Sequence, residues 1–129
     1  DTGLPSPTKQ LVSRVRTRRE QESERIDPII ERIGSIARRA RDAIETGRVD
    51  MLGPLMTENH KRLAELGVSS TALDTLVSAA HHAGALGAKL SGAGQGGNMV
   101  ALISPDTEER VLRALREAGA VRVLRTAVG

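Results

Sequence analysis

The stretch of this chain best equipped for chemistry is Gly87-Ala88-Lys89-Leu90-Ser91-Gly92-Ala93-Gly94-Gln95-Gly96-Gly97-Asn98. It holds Gly87, Gly92, Gly94, Gly96 and Gly97 out of 13 glycines in the chain. Glycine admits positive φ and presents no Cβ to an approaching group. Successive N–H groups in such a stretch can form a concavity that holds an anion. Gly92, Ala93, Gly94, Gln95, Gly96 and Gly97 are therefore the candidate anion contacts. The stretch is not a Walker A loop, because no Gly-Lys-Ser/Thr ends it. Nor is it a dinucleotide fingerprint, because an apolar strand follows where a helix should begin. A tight turn between two strands accounts for the same glycines without any ligand.

The flanking side chains carry paired readings. Lys89 either points at the bound anion or is a solvent-facing strand lysine. Ser91 either donates to substrate or caps the turn, and Asn98 satisfies local backbone groups. His60 lies four residues after Met56 and three before Leu63, on or beside an apolar helical stripe. It either packs helices together or lines a cleft. His81 and His82 are adjacent, so on a regular helix they point about 100° apart and cannot share one metal ion. Glu58 and Asp74 read as surface carboxylates, and no carboxylate pair has a spacing that suggests acid–base work. No catalytic residue and no metal ligand is assigned in these 129 residues.

The elements that position these groups follow from periodicity. Ser6 and Pro7 form a cap-plus-proline start for a helix from Pro7 to Glu22, with Leu11, Val12 and Val15 inward. Asp27-Pro28 starts a second helix by the same logic. Ile26, Ile29, Ile30, Ile33, Ile36, Ala37, Ala40 and Ile44 make its buried stripe, and Gly47 stops it. A third helix runs from a cap at Asp50 to Gly67, and a fourth from Ser69 or Ser70 to Gly84. Then the pattern changes. Ala88–Leu90 and Met99–Ile103 are strands, Asp106–Ala118 is a helix, and Val121, Val123, Thr126 and Val128 mark a last strand. Helices followed by two strands, a helix and a strand predict an α+β fold, a small antiparallel sheet covered by helices.

Composition removes several function classes. The chain has no Phe, Tyr or Trp, which argues against a module that stacks bases on aromatic rings. It has no cysteine, so disulfides and thiolate metal sites are excluded, and a reducing cytoplasm fits. No apolar run approaches the length of a membrane span. The net charge is +3, with arginines clustered at 14, 16, 18 and 19 and at 38, 39 and 41. Glu20, Glu22 and Glu24 follow the first cluster directly. A solvated helix face explains it without nucleic acid.

Gly87 to Leu102 resembles the third conserved motif of the GHMP kinases, a family of small-molecule kinases. Two further stretches resemble one branch of that family. These are Asp1-Thr2-Gly3 followed by Pro7-Thr8-Lys9, and Glu58-Asn59-His60 followed by Leu63 and Leu66-Gly67-Val68-Ser69. Ser91 stands where that branch usually has Thr, and Asn98 where it usually has Cys. The resemblance implies a ferredoxin-like C-terminal domain over residues 1–129, its first strand missing just before Asp1. A phosphate loop, Mg²⁺ ligands and catalytic Asp would lie on an absent N-terminal domain. It implies ATP and Mg²⁺ as requirements of the whole enzyme, a small alcohol as substrate, and no turnover or cofactor binding by the 129 residues alone. Gly92 to Gly97 would meet the phosphate loop, and Thr2, Thr8, Lys9, Lys89, Ser91 and His60 would be the substrate-cleft candidates. A missing strand would leave an unpaired seam that favours a homodimer or a rearrangement of the helices. Two other readings stand beside this one: another family member, acting on a phosphorylated acid, homoserine or a sugar, and a non-enzymatic ferredoxin-like interaction module.

Overall fold

A computed structural model describes residues 1–4, 8–92 and 97–127, with the side chain of Thr8 left aside. The expected cap at Ser6-Pro7 and Val128 of the expected last strand lie outside these residues. Five helices and one hairpin follow in the order α1 (Thr8–Gln21), α2 (Ser23–Glu45), α3 (Val49–Leu66), α4 (Thr71–His82), β1 (Gly87–Ser91), β2 (Asn98–Leu102) and α5 (Glu108–Glu117).

The main core lies where α4 and α5 cover the hairpin. Leu76, Val77 and Ala80 of α4 meet Ala88 of β1 and Val111 and Leu115 of α5. Met99, Ala101, Ile103 and Val123 pack around them. Five of these positions, Leu76, Val77, Ala80, Val111 and Leu115, follow directly from the i, i+3, i+4 spacing of α4 and α5. Leu76 and Val111 keep almost no exposure, and each burial stabilises by roughly 2 kcal/mol. A second cluster joins α2 to α3 through Ile36, Ala43 and Leu55. Ala37 and Ile44, expected inward, are exposed. Against α3 the buried line of α2 runs through Ile36, Ala40 and Ala43, and residues one step away lie in water.

Two helix starts lie earlier than expected: Asp27-Pro28 does not open α2, and Asp50 does not cap α3. Helix α2 begins at Ser23 and α3 at Val49, so Pro28 and Pro54 each fall at the sixth helical residue. A proline there frees one carbonyl, that of Glu24 or Asp50, and both residues are exposed to water. The cost is therefore small enough for the upstream turn to form. Asp27 does not cap; it pairs with Arg19 at 2.8 Å. Ser70, not Ser69, caps α4, its side chain accepting from the Leu73 N–H at 3.2 Å.

The sheet is an antiparallel pair in which Gly87 faces Leu102, Lys89 faces Val100 and Ser91 faces Asn98. The expected third strand over Val121 to Thr126 is not formed among the described residues. The segment instead turns to the N-terminal residues: the Val121 N–H donates to the Asp1 carbonyl at 3.1 Å. The Asp1 ammonium donates in turn to the Arg122 carbonyl at 3.3 Å, but these bonds at the chain end do not make a ladder, which needs consecutive pairs.

Candidate functional site

Strand β1 delivers the site, and α3 holds β1. The two backbones touch at Gly53 and Gly87. A Cβ on Gly87 would lie 2.7 Å from the Gly53 Cα, and one on Gly53 would lie 2.9 Å from the Leu86 carbonyl carbon. Only glycine fits either position. Gly53 was not singled out from sequence. The signal was a glycine inside a helical pattern, a position glycine occupies at a cost unless another backbone must come close.

Further along the same seam His60 is buried, and both of its ring nitrogens have protein partners. Nδ1 accepts the Leu90 backbone N–H at 3.0 Å, and Nε2–H donates to the Asp74 carboxylate at 2.8 Å. The backbone donor fixes the tautomer: the lone pair must be on Nδ1, so the proton is on Nε2. Asp74 also accepts the Ser69 hydroxyl at 2.6 Å. Read as an idle surface carboxylate from sequence, Asp74 is exposed yet joins α4 to the α3 histidine. Glu58 likewise pairs with Arg32 of α2, which holds its carboxyl below the usual range.

Past Leu90 the chain opens into solvent. Ser91 is exposed at the end of the ladder. Gly92 adopts φ +80 with open space where a Cβ would sit. Ala93, Gly94, Gln95 and Gly96 lie outside the described residues. The chain returns at Gly97, where Thr2 meets it: the Thr2 N–H and hydroxyl both donate to the Gly97 carbonyl, at 3.2 and 3.0 Å. Thr2 sits in a turn closed by Gly3 N–H donating to the Asp1 carboxylate at 2.8 Å. Gly3 has φ +73 and sits so close to Val121 that a Cβ would lie 2.6 Å from its side chain. The structure thus brings Thr2 to one end of the glycine loop and Ser91 to the other.

Lys89 is half-buried between Ala88 and Leu90, and burial lowers its pKa from the ordinary 10.5. Among the described residues no carboxylate pairs with it. Lys9 is exposed in the first turns of α1, beside a shallow depression of about 410 Å³ lined with Gln10, Ser13 and Arg14. The lower half of α1 is tied down by Arg18, whose guanidinium donates to the Leu66 carbonyl at 2.6 Å, at the C-terminal end of α3. Among the described residues no three metal-ligating side chains converge. No helix of the described residues is long and apolar enough to cross a membrane.

A glycine-rich segment between two strands can present backbone N–H groups to an anion without side-chain bulk. That arrangement belongs to a known class. A family model described as GHMP kinases C terminal matches residues 40–121, and the chain belongs to that family.

The relatives it resembles within the family are mevalonate kinases. It is 46% identical over 123 residues to that of Pyrococcus furiosus, which covers 92% of this chain and 36% of that protein. It is 38% identical over 118 residues to that of Aeropyrum pernix, with the same coverage. Among solved structures it matches L. major mevalonate kinase in complex with R-mevalonate with a TM-score of 0.86 at 33% identity, over 92% of this chain and 36% of that one. The Methanococcus jannaschii mevalonate kinase matches with a TM-score of 0.72 at 29% identity, over 90% and 34%. The chain spans a little over a third of the length of these relatives.

Proposed function

We propose that residues 1–129 are the C-terminal domain of a mevalonate kinase, which moves the γ-phosphate of ATP to the 5-hydroxyl of mevalonate in cytoplasmic isoprenoid synthesis. The observation that carries this reading is the fold match to a mevalonate kinase crystallised with R-mevalonate, joined to 46% identity with a second mevalonate kinase. Phosphoryl transfer asks a protein mainly for positioning and for donors aimed at developing charge. The residues of this chain suit the positioning share. Gly92 to Gly97 offer backbone donors without bulk, and Thr2, Ser91 and Lys89 stand around the two ends of that segment. Thr8 and Lys9, at the start of α1, complete the proposed cleft.

Mg²⁺ and the general base would come from the remaining two thirds of the enzyme. The described residues hold no ligand cluster for the ion, so no step is assigned to this chain through it. On this reading the 129 residues alone neither bind ATP productively nor turn over.

The test is ADP release by the full-length protein with ATP, Mg²⁺ and a panel of mevalonate, phosphomevalonate, homoserine and galactose. Mevalonate is expected to be preferred by its kcat/KM. Preference for another alcohol, or for none, overturns the reading. Within an active enzyme, Val at Gly94 or Gly96 is expected to lower kcat/KM about 100-fold, the scale of a roughly 1 Å misplacement.

A further inference from the structure

We infer that His60 is a positioning residue for the glycine loop, acting through the Leu90 backbone rather than by touching substrate. The inference rests on the function proposed above and adds a residue role to it.

Three observations meet at this histidine. First, its Nδ1 is the acceptor of the Leu90 N–H, two residues before Gly92, where the chain enters the loop at φ +80. Second, that bond is buried, so the N–H has no water to fall back on. Third, the ring is held from behind by Asp74, itself bound by Ser69, so its aim is set by α4 as well as α3. Ser91 and Gly92 are exposed, and Gly92 has no neighbour within reach of a Cβ. The last buried anchor before the loop on this side is therefore the Leu90–His60 bond. A loop that donates backbone N–H groups to phosphate depends on where its first residue is held. The Ser69–Asp74–His60–Leu90 series sets that position.

Two substitutions separate this role from mere helix packing. Asn at 60 can place an amide oxygen near the Nδ1 position and keep the acceptor for Leu90, while losing reach to Asp74. Gln at 60 can place its amide near the Nε2 position, keep Asp74, and leave the Leu90 N–H without an acceptor. Both lower the melting temperature. In the full-length protein, His60→Gln is expected to raise the Leu90 and Ser91 amide exchange rates about tenfold over those of His60→Asn, when compared at equal distance below their melting temperatures. It is also expected to raise the KM for ATP about tenfold, with His60→Asn recovering most of that loss.

Equal exchange in the two variants, or losses of activity that simply follow the melting temperatures, overturns the inference. If neither variant folds, Asp74→Ala decides. Its site is exposed, and it should raise Leu90 exchange and the KM for ATP by smaller factors; no change in either refutes the role. A wild-type protein that does not phosphorylate mevalonate removes the proposed function, whereas the exchange arm still reports on the His60–Leu90 link by itself.

Discussion

Gly87 opens strand β1 and Gly92 follows its last residue, yet the two glycines have opposite reasons to be there. Gly87 is buried against Gly53, backbone to backbone, and any Cβ would drive α3 away from the strand. Gly92 faces open space and is required by its positive φ alone. One motif thus contains a packing glycine that fixes the strand and a conformational glycine that lets the chain leave it. Four residues separate the packed Gly87 from the exposed Gly92. The comparison shows that a glycine-rich signature need not serve a ligand throughout: part of it packs β1 against α3.

Substitutions can break this contrast. The largest effect is expected at the seam. Gly87→Ala or Gly53→Ala should cost about 3 kcal/mol, because backbone on a helix and a strand must separate to admit a methyl group. Urea unfolding measures it, and a cost below that of Gly92→Ala would erase the distinction.

Gly67 combines both demands. Its φ is +87, and a Cβ would meet the Arg18 guanidinium at 2.5 Å. Gly67→Ala should cost about 2 kcal/mol, part left-handed strain and part displacement of Arg18 from the Leu66 carbonyl. With Arg18→Ala added, the two losses should sum to less than their separate values, which a double-mutant cycle reads.

At Gly92 only strain is at stake, so Gly92→Ala should cost about 1 kcal/mol and Gly92→Asn less, since asparagine tolerates the left-handed region better. Equal losses for the two would mean that space, not φ, governs the position.

The smallest effect concerns Lys89. Burial lowers its folded-state pKa below 10.5, so between the two values the unfolded chain binds more protons than the folded one. Stability on this account rises with pH through the window just below 10.5. At neutral pH the penalty for the charged amine is fully present. Lys89→Met should raise the melting temperature slightly at pH 7 and flatten the rise toward pH 10. An unchanged slope between pH 8.5 and 10.5 would show that the ammonium is fully hydrated in the folded state.

Much of this was legible in the residues. The apolar spacing of Leu73, Leu76, Val77 and Ala80 marked a helix face that is entirely buried. Gly47 and Gly67 marked helix ends because both ends need positive φ. The strands flanking the glycine loop were read from an apolar run within one or two residues of their bounds. Pro28 misled because a proline near a helix start can mark either its first residue or its second turn, and Asp50 misled because an aspartate in the first turn need not be the cap. The exposed carbonyls of Glu24 and Asp50 decided for the second turn. The last strand was read from alternating valines at 121 and 123, but alternation shows only that a segment can pair. Here its neighbour is the Asp1 turn.

Local pattern by itself determined the helices and the two strands of the hairpin, since backbone preference and apolar periodicity act between residues near one another in the chain. Three pairings were decided only in three dimensions: Gly53 with Gly87, His60 with Leu90 and Asp74, and Thr2 with Gly97. Each joins residues 14 or more positions apart, where close approach and the demand of a buried N–H for an acceptor depend on how the elements pack.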